Sequence, residues 1–375
     1  MSTPTRSLPP KRLLVAAIVL AAGAWMLFHH DDPAPPRPPP QQVTEAPPRD
    51  ADAPTPAPPP APSPPPASPD VTVVDAASDA GGEARSEVLR GPWGTRPGEF
   101  GRTTESEGNP EGPMSFAVAP DGTLAVLDQR NRRIQRFSQG RPLAPITLEN
   151  EAAQDLALTP DGRVVALDRL GASTLTVFGP DGRAGSTIAL RGGPISEGGA
   201  VTGVFADAQG VYVEREHREV VRVADAEGHE DTSRPTLWGR PTRDGGQLLR
   251  AAIEDRARGV LRVSVAARSN GAMDWSTAVP AGAPVLYLAM LDSDARGRVY
   301  VAAETGVVSA EGPRDLATFV ARLDRAGVVE VAVRLPPLAG GDEVFRPMSV
   351  DDEGAVYVMD PSREGLVIAR YALPQ

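Results

Sequence analysis

Three aspartates recur at one position of a repeated segment: Asp128, Asp168 and Asp360 close the runs LAVLD, VVALD and VYVMD. A carboxylate at the end of a short β-branched run can hold its own turn or pair with an arginine such as Arg133. Set side by side at one mouth of a channel, three of them instead make a negative potential that attracts a cation or a basic partner. Other chemistry is sparse. After residue 85 the chain has two histidines, His217 and His229, close together among charged residues and too few for a three-histidine zinc site. Glu214, Glu216 and Glu304 are available acids near strand ends. Cysteine is absent, which excludes thiolate metal sites, a cysteine nucleophile and disulfides. No nucleophile elbow, phosphate loop or HExxH occurs. These residue types point to binding through charge, with no catalytic residue, metal or cofactor expected.

The elements that carry these residues repeat. Six windows, residues 116–128, 156–168, 204–216, 253–265, 291–303 and 348–360, align on Gly122, Gly162, Gly210, Gly259, Gly297 and Gly354. Each reads as an apolar strand, a tight Asp-Gly or related turn, and a second strand. The window at 253–265 fits least, because Glu254, Asp255 and Arg256 interrupt its first strand. Third strands follow at 133–137, 174–178, 220–224, 317–323 and 366–371, and fourth strands at 182–190 and 327–335. Four antiparallel strands repeated six times predict an all-β, six-bladed β-propeller, each blade burying its faces on its neighbours. Too few residues follow Tyr371 for a last fourth strand, so residues 86–94 are expected to pair beside 366–371 and close the ring.

Within blade one, Trp93-Gly94, then Pro97-Gly98-Glu99-Phe100-Gly101, then Asp128, Asn131, Arg133-Ile134-Gln135 and Phe137 resemble the NHL-repeat consensus. The resemblance covers residues 91–375. It implies a six-bladed propeller used mostly as a binding platform, while relatives of this shape include lyases and lactone hydrolases with a metal in the central channel. The lactonase-like arrangement needs an inner asparagine, and Asn109, Asn150 and Asn270 fall in expected loops.

The rest of the chain addresses the domain. Lys11 and Arg12 precede an apolar run at 13–28, and His29, His30, Asp31 and Asp32 follow it. The positive-inside rule leaves residues 1–12 cytoplasmic and exports everything after residue 28. Residues 13–28 form either a single transmembrane anchor or a signal-peptide core cleaved after Ala24, which would release the protein. The two histidines and two aspartates read as the polar stop of that segment. Residues 33–69 hold 18 prolines in 37 positions, so 29–85 reads as a disordered proline-rich linker before a propeller spanning 86–375. The expected place is the inner membrane, with the propeller on its periplasmic or extracellular side. A net charge of −11 argues against nucleic acid. The partner expected is an envelope protein or small ligand, bound by a monomeric propeller. Lys11 is the only lysine, and the arginines read individually as solvated surface groups.

Overall fold

A computed structural model describes residues 73–75 (as backbone), 85–103, 109–149, 151–338 and 342–374, all within the unit Pro69–Gln375. The apolar run at 13–28, its polar stop and the proline-rich stretch 33–69 lie outside the described residues. Among the described residues the helical turns are two short 3₁₀ segments, Gln129–Asn131 and Gly198–Ala200, and no helix is long and apolar enough to cross a membrane.

Six antiparallel sheets form the six blades of a β-propeller. From the axis outward, blade one is Ser115–Val118, Leu124–Asp128 and Arg133–Ser138, with Arg141–Pro142 and Ile146–Thr147 at its edge. Blade two is Asp155–Leu158, Val164–Asp168, Thr174–Phe178 and Ala184–Ala189. Blade three is Val201–Asp207, Gly210–Arg215, Glu219–Ala224 and Thr236–Leu237. Blade four is Arg240–Pro241, Gln247–Asp255, Val260–Ala267 and Met273–Pro280. Blade five is Val285–Ser293, Val299–Ser309, Gly312–Leu323 and Val329–Leu335. Blade six is Met348–Val350, Val356–Pro361, Gly365–Tyr371 and, from the other end of the domain, Arg85–Pro92.

The closing strand is as expected: Leu89 lies opposite Ile368 and Gly91 opposite Leu366. Pairing this edge removes a row of open backbone donors and acceptors. Val73–Asp75 adds a parallel strand to the outer edge of blade five, Val73 opposite Ala332, so part of the segment expected to be linker takes strand form.

One grammar governs the turns between first and second strands. The turn glycine adopts positive φ, +79° at Gly122 and +91° at Gly354, where a side chain would be strained. In five of the six, three residues earlier stands a side chain that holds the turn; before Gly122 that position is Ala119, and Asp121 accepts from Thr123 N–H instead. Asp207, Asp294 and Asp351 accept backbone N–H groups and also the hydroxyls of Tyr212, Tyr300 and Tyr357 at 3.0, 2.9 and 3.2 Å. Thr159 and Thr242 accept the N–H groups of Arg163 and Gln247 at 3.0 and 3.1 Å. This corrects the expected register of blade four. Its first turn is Thr242–Gln247 around Gly245, whereas Gly259 turns the second strand into the third. The signal was weak because the true first strand, Arg240–Pro241, is two residues long and polar.

Apolar clusters join most blades. Leu127, Ile134 and Leu156 fill the seam between blades one and two, Val165, Val204 and Val213 that between two and three, and Leu261, Phe319 and Val301 that between four and five. Tyr300 with Val350, and Phe116 with Ile368, do the same around blade six. Burying each such side chain contributes about 1.5–3 kcal/mol. Blades three and four meet through charged groups instead: Arg240 grips Glu214, and Arg268 pairs with Asp207.

Candidate functional site

Asp128 is fully buried, and its carboxylate accepts from Gly101 N–H at 2.8 Å, Asn131 Nδ2 at 2.9 Å, Arg133 Nε at 2.8 Å and Gln135 Nε2 at 3.0 Å. The same side chains reach the preceding loop. Arg133 donates to the carbonyls of Thr95, Arg96 and Glu99, Gln135 exchanges bonds with Gly98 and Glu99, and Asn131 donates to Gly94. The D-x-x-N-x-R-I-Q pattern is therefore a lock that sews residues 94–101 onto blade one, and Asp128 is its centre. Its lone pairs are engaged within the protein.

Asp168, also buried, accepts from Gly171 and Ala172 N–H at 2.7 and 3.0 Å, holding the corresponding corner of blade two. Asp360 is half-buried, and burial raises its carboxyl pKa against the opposing pull of Arg85. Asp128 and Asp168 end their strands and face inward as turn groups, whereas Asp360 lies one residue before the end of Val356–Pro361, opposite Val367. His217 and His229 are exposed, each beside one carboxylate: Glu214 at 3.3 Å and Asp225 at 3.4 Å. Glu216 is exposed at positive φ, while Glu304 is buried with Thr318 Oγ1 at 3.0 Å, and burial raises its pKa. Among the described residues no group of three or more His, Asp or Glu side chains is gathered closely enough to hold a metal ion.

The axis of the ring holds groups that sequence reasoning passed over. Arg346, just before the first strand of blade six, reaches Asp155 of blade two with Nε at 3.0 Å and Nη2 at 2.6 Å, and also donates to the Val204 carbonyl of blade three at 2.7 Å. Asp155 is fully buried and takes further bonds from Ser115 Oγ at 2.6 Å and Val204 N–H at 3.0 Å. Phe205 lies between two guanidinium groups, Arg346 at 5.1 Å and Arg240 at 4.7 Å from its ring centre. Arg240 in turn holds Glu214 through Nε at 2.8 Å and Nη2 at 3.0 Å. Burial opposes ionisation of Glu214, but Arg240 and His217 outweigh it and bring its pKa down to about 2. At the opposite end of the axis, Arg243 of blade four spans to Asp352 of blade six at 2.9 Å. Arg346 and Arg243 staple non-adjacent blades and Arg240 joins neighbours; the reading of these arginines as solvated surface groups is thereby corrected. Nothing in residue type marks them, since only the closing of the ring brings Arg346 to Asp155.

The polar seam between blades three and four opens into a cleft of about 510 Å³ lined by Gln209, Tyr212, Arg222, Leu237, Gly245 and Arg268. Its two guanidinium groups are already paired, Arg268 with Asp207 and Arg222 with Asp231. Burial, the largest effect, pushes the Tyr212 hydroxyl up to about 12, so it remains a donor to Asp207.

No family model matches the chain, and no curated protein matches it in sequence. Among solved structures it resembles hydrazine synthase of Kuenenia stuttgartiensis with a TM-score of 0.46 and 14% identity, over 68% of this chain and 75% of that one. It also resembles virginiamycin B lyase from Staphylococcus aureus with a TM-score of 0.38 and 12% identity, over 70% and 95% of the two chains. At these scores and identities neither likeness bears on chemistry.

Proposed function

We propose that this chain is a non-catalytic binding propeller of NHL type, exported and held in the cell envelope by residues 13–28 and the proline-rich linker. The observation that carries the reading is the mutual pairing of the charged groups at the axis. Where a propeller enzyme needs an open channel with converging ligands, the axis here contains Asp155, Arg346, Phe205, Arg240 and Glu214, joined to one another by ion pairs and ring contacts. Breaking such pairs to admit a ligand costs several kcal/mol each. A partner therefore meets the rim of the propeller and not its interior. Anchoring through 13–28 rests on Lys11 and Arg12 before the apolar run and on the exclusion of polar groups from it.

The test is photocrosslinking in intact cells from a probe at Leu170, on a corner of blade two. A discrete partner recovered in the membrane fraction supports the reading. A propeller that instead retains a stoichiometric metal through chelation and turns over a lactone or a lyase substrate establishes the alternative.

A further inference from the structure

We propose that the outer edge of blade five is a strand-addition site, that its built-in ligand is the segment Val73–Asp75 of the same chain, and that this pairing closes the edge to extended segments of other molecules. The inference goes beyond the binding reading above and does not depend on it.

The outer edges of the six blades differ in what they offer. A regular, unpaired strand presents a row of backbone donors and acceptors on which another strand can form, and short strands, charges, prolines, glycines and breaks in register spoil that row. Blade one ends in Arg141–Pro142 and Ile146–Thr147, and blade three in Thr236–Leu237, each strand two residues long. The outer strand of blade two holds Gly185 and shifts register against Thr174–Phe178. That of blade four ends at Pro280, with Trp275 and Thr277 tied to the Arg325 and Gly327 carbonyls of blade five at 2.9 and 2.7 Å. That of blade six carries Arg85, Glu87, Arg90 and Pro92. Blade five is the exception. Its outer strand Val329–Leu335 runs seven residues without proline or glycine, and its register against Gly312–Leu323 is unbroken from Val331 to Leu335. Val331, Val333 and Leu335 are held in the cluster that contains Met348 and Tyr371 of blade six, so the strand is fixed in place as a template.

The chain's own segment fits that edge. Val73, Val74 and Asp75 pair in parallel with Ala332, Val333 and Arg334, inside the stretch of unbroken register, and an acidic residue falls opposite a basic one. The run VTVVD at 71–75 is β-branched at four of five positions, a composition suited to extended backbone. Three parallel pairs are a weak hold, weaker per residue than antiparallel ones. Proximity offsets the weakness. Nine residues, 76–84, join the segment to Arg85 in blade six, the neighbour of blade five, and a short connection gives a ligand in the same chain an effective concentration on the order of millimolar. A free strand at micromolar concentration loses that competition, and the edge opens to it only when the segment is removed.

The experiment uses the full chain in mild detergent, and a variant in which residues 71–75 are replaced by Gly-Ser-Gly-Ser-Gly. The probe is a fluorescent peptide of residues 70–78, DVTVVDAAS, with DVTPPDAAS as the match that lacks two backbone donors, read by fluorescence polarisation. The variant should bind the first peptide about tenfold or more tighter than wild type does, and should ignore the second. Equal binding by wild type and variant, no binding by either, or equal binding of the two peptides overturns the proposal. A second measurement fixes the register. The chain has no cysteine, so Asp75→Cys combined with Arg334→Cys should give, on oxidation, one crosslink within a monomer. A crosslinked dimer, or no crosslink in a chain whose circular dichroism matches wild type, overturns it equally. Recovery of a discrete partner from the Leu170 probe stays the measure of the binding reading, whichever way these results fall.

Discussion

Arg346 and Asp155, 191 residues apart in sequence, meet at the axis through two hydrogen bonds of 3.0 and 2.6 Å, tying blade six to blade two across blade one. Asp155 is fully buried, so without Arg346 its charge has no cationic partner. Arg346→Ala should therefore cost about 3–5 kcal/mol, read from urea unfolding. Asp155→Asn in the Arg346→Ala background should restore part of that loss, because the stranded charge is then gone. A loss below about 1 kcal/mol would show that the staple is incidental.

Glu214 sets a pH window. Its folded pKa is depressed from 4.5 to about 2, so its contribution is present above the unfolded value and fades as pH falls between them. Glu214→Gln, which strands the buried Arg240, should destabilise the protein by a few kcal/mol at pH 6. That difference should shrink steadily as pH falls from 4.5 through about 2, below which wild type and variant both carry a neutral group. A pH-independent gap between the two unfolding curves would refute the pairing.

Glu304 has the opposite sign. Burial raises its carboxyl pKa, so ionising it in the folded state is unfavourable, and the penalty grows as pH rises above the ordinary carboxylate range. Glu304→Gln keeps an acceptor for Thr318 and should raise the melting temperature at pH 8 by about 2–4 °C, for about 1 kcal/mol. At pH 4 the gain should disappear. A variant that melts lower at pH 8 would show that the ionised group is needed.

Ring closure makes the last prediction. A chain beginning at Gly101 loses the strand Arg85–Pro92 and the loop that Arg133 and Gln135 hold. It should aggregate or unfold, whereas one beginning at Gly82 should stay soluble and show a single cooperative melt. Similar melting of both, followed by circular dichroism, would mean that blade six is stable with an open edge.

The sequence by itself determined the blades. A strand, a turn glycine and a second strand are local features, dictated by side-chain alternation and by the need for positive φ, and they were legible at Gly122, Gly162, Gly210, Gly297 and Gly354. Closure by residues 86–94 was legible too, because an unmatched strand and an unmatched edge imply each other. Blade four was misread where pattern is thinnest, at a polar first strand of two residues. The roles of the charged residues were not local. Asp128 looks the same in sequence whether it faces solvent or, as here, four donors, and Arg346 is one of many arginines until the ring brings it to Asp155. Burial and counter-charge are properties of the closed ring, so only the tertiary structure decided which carboxylates were spent on folding and which arginines were drawn inward to meet them.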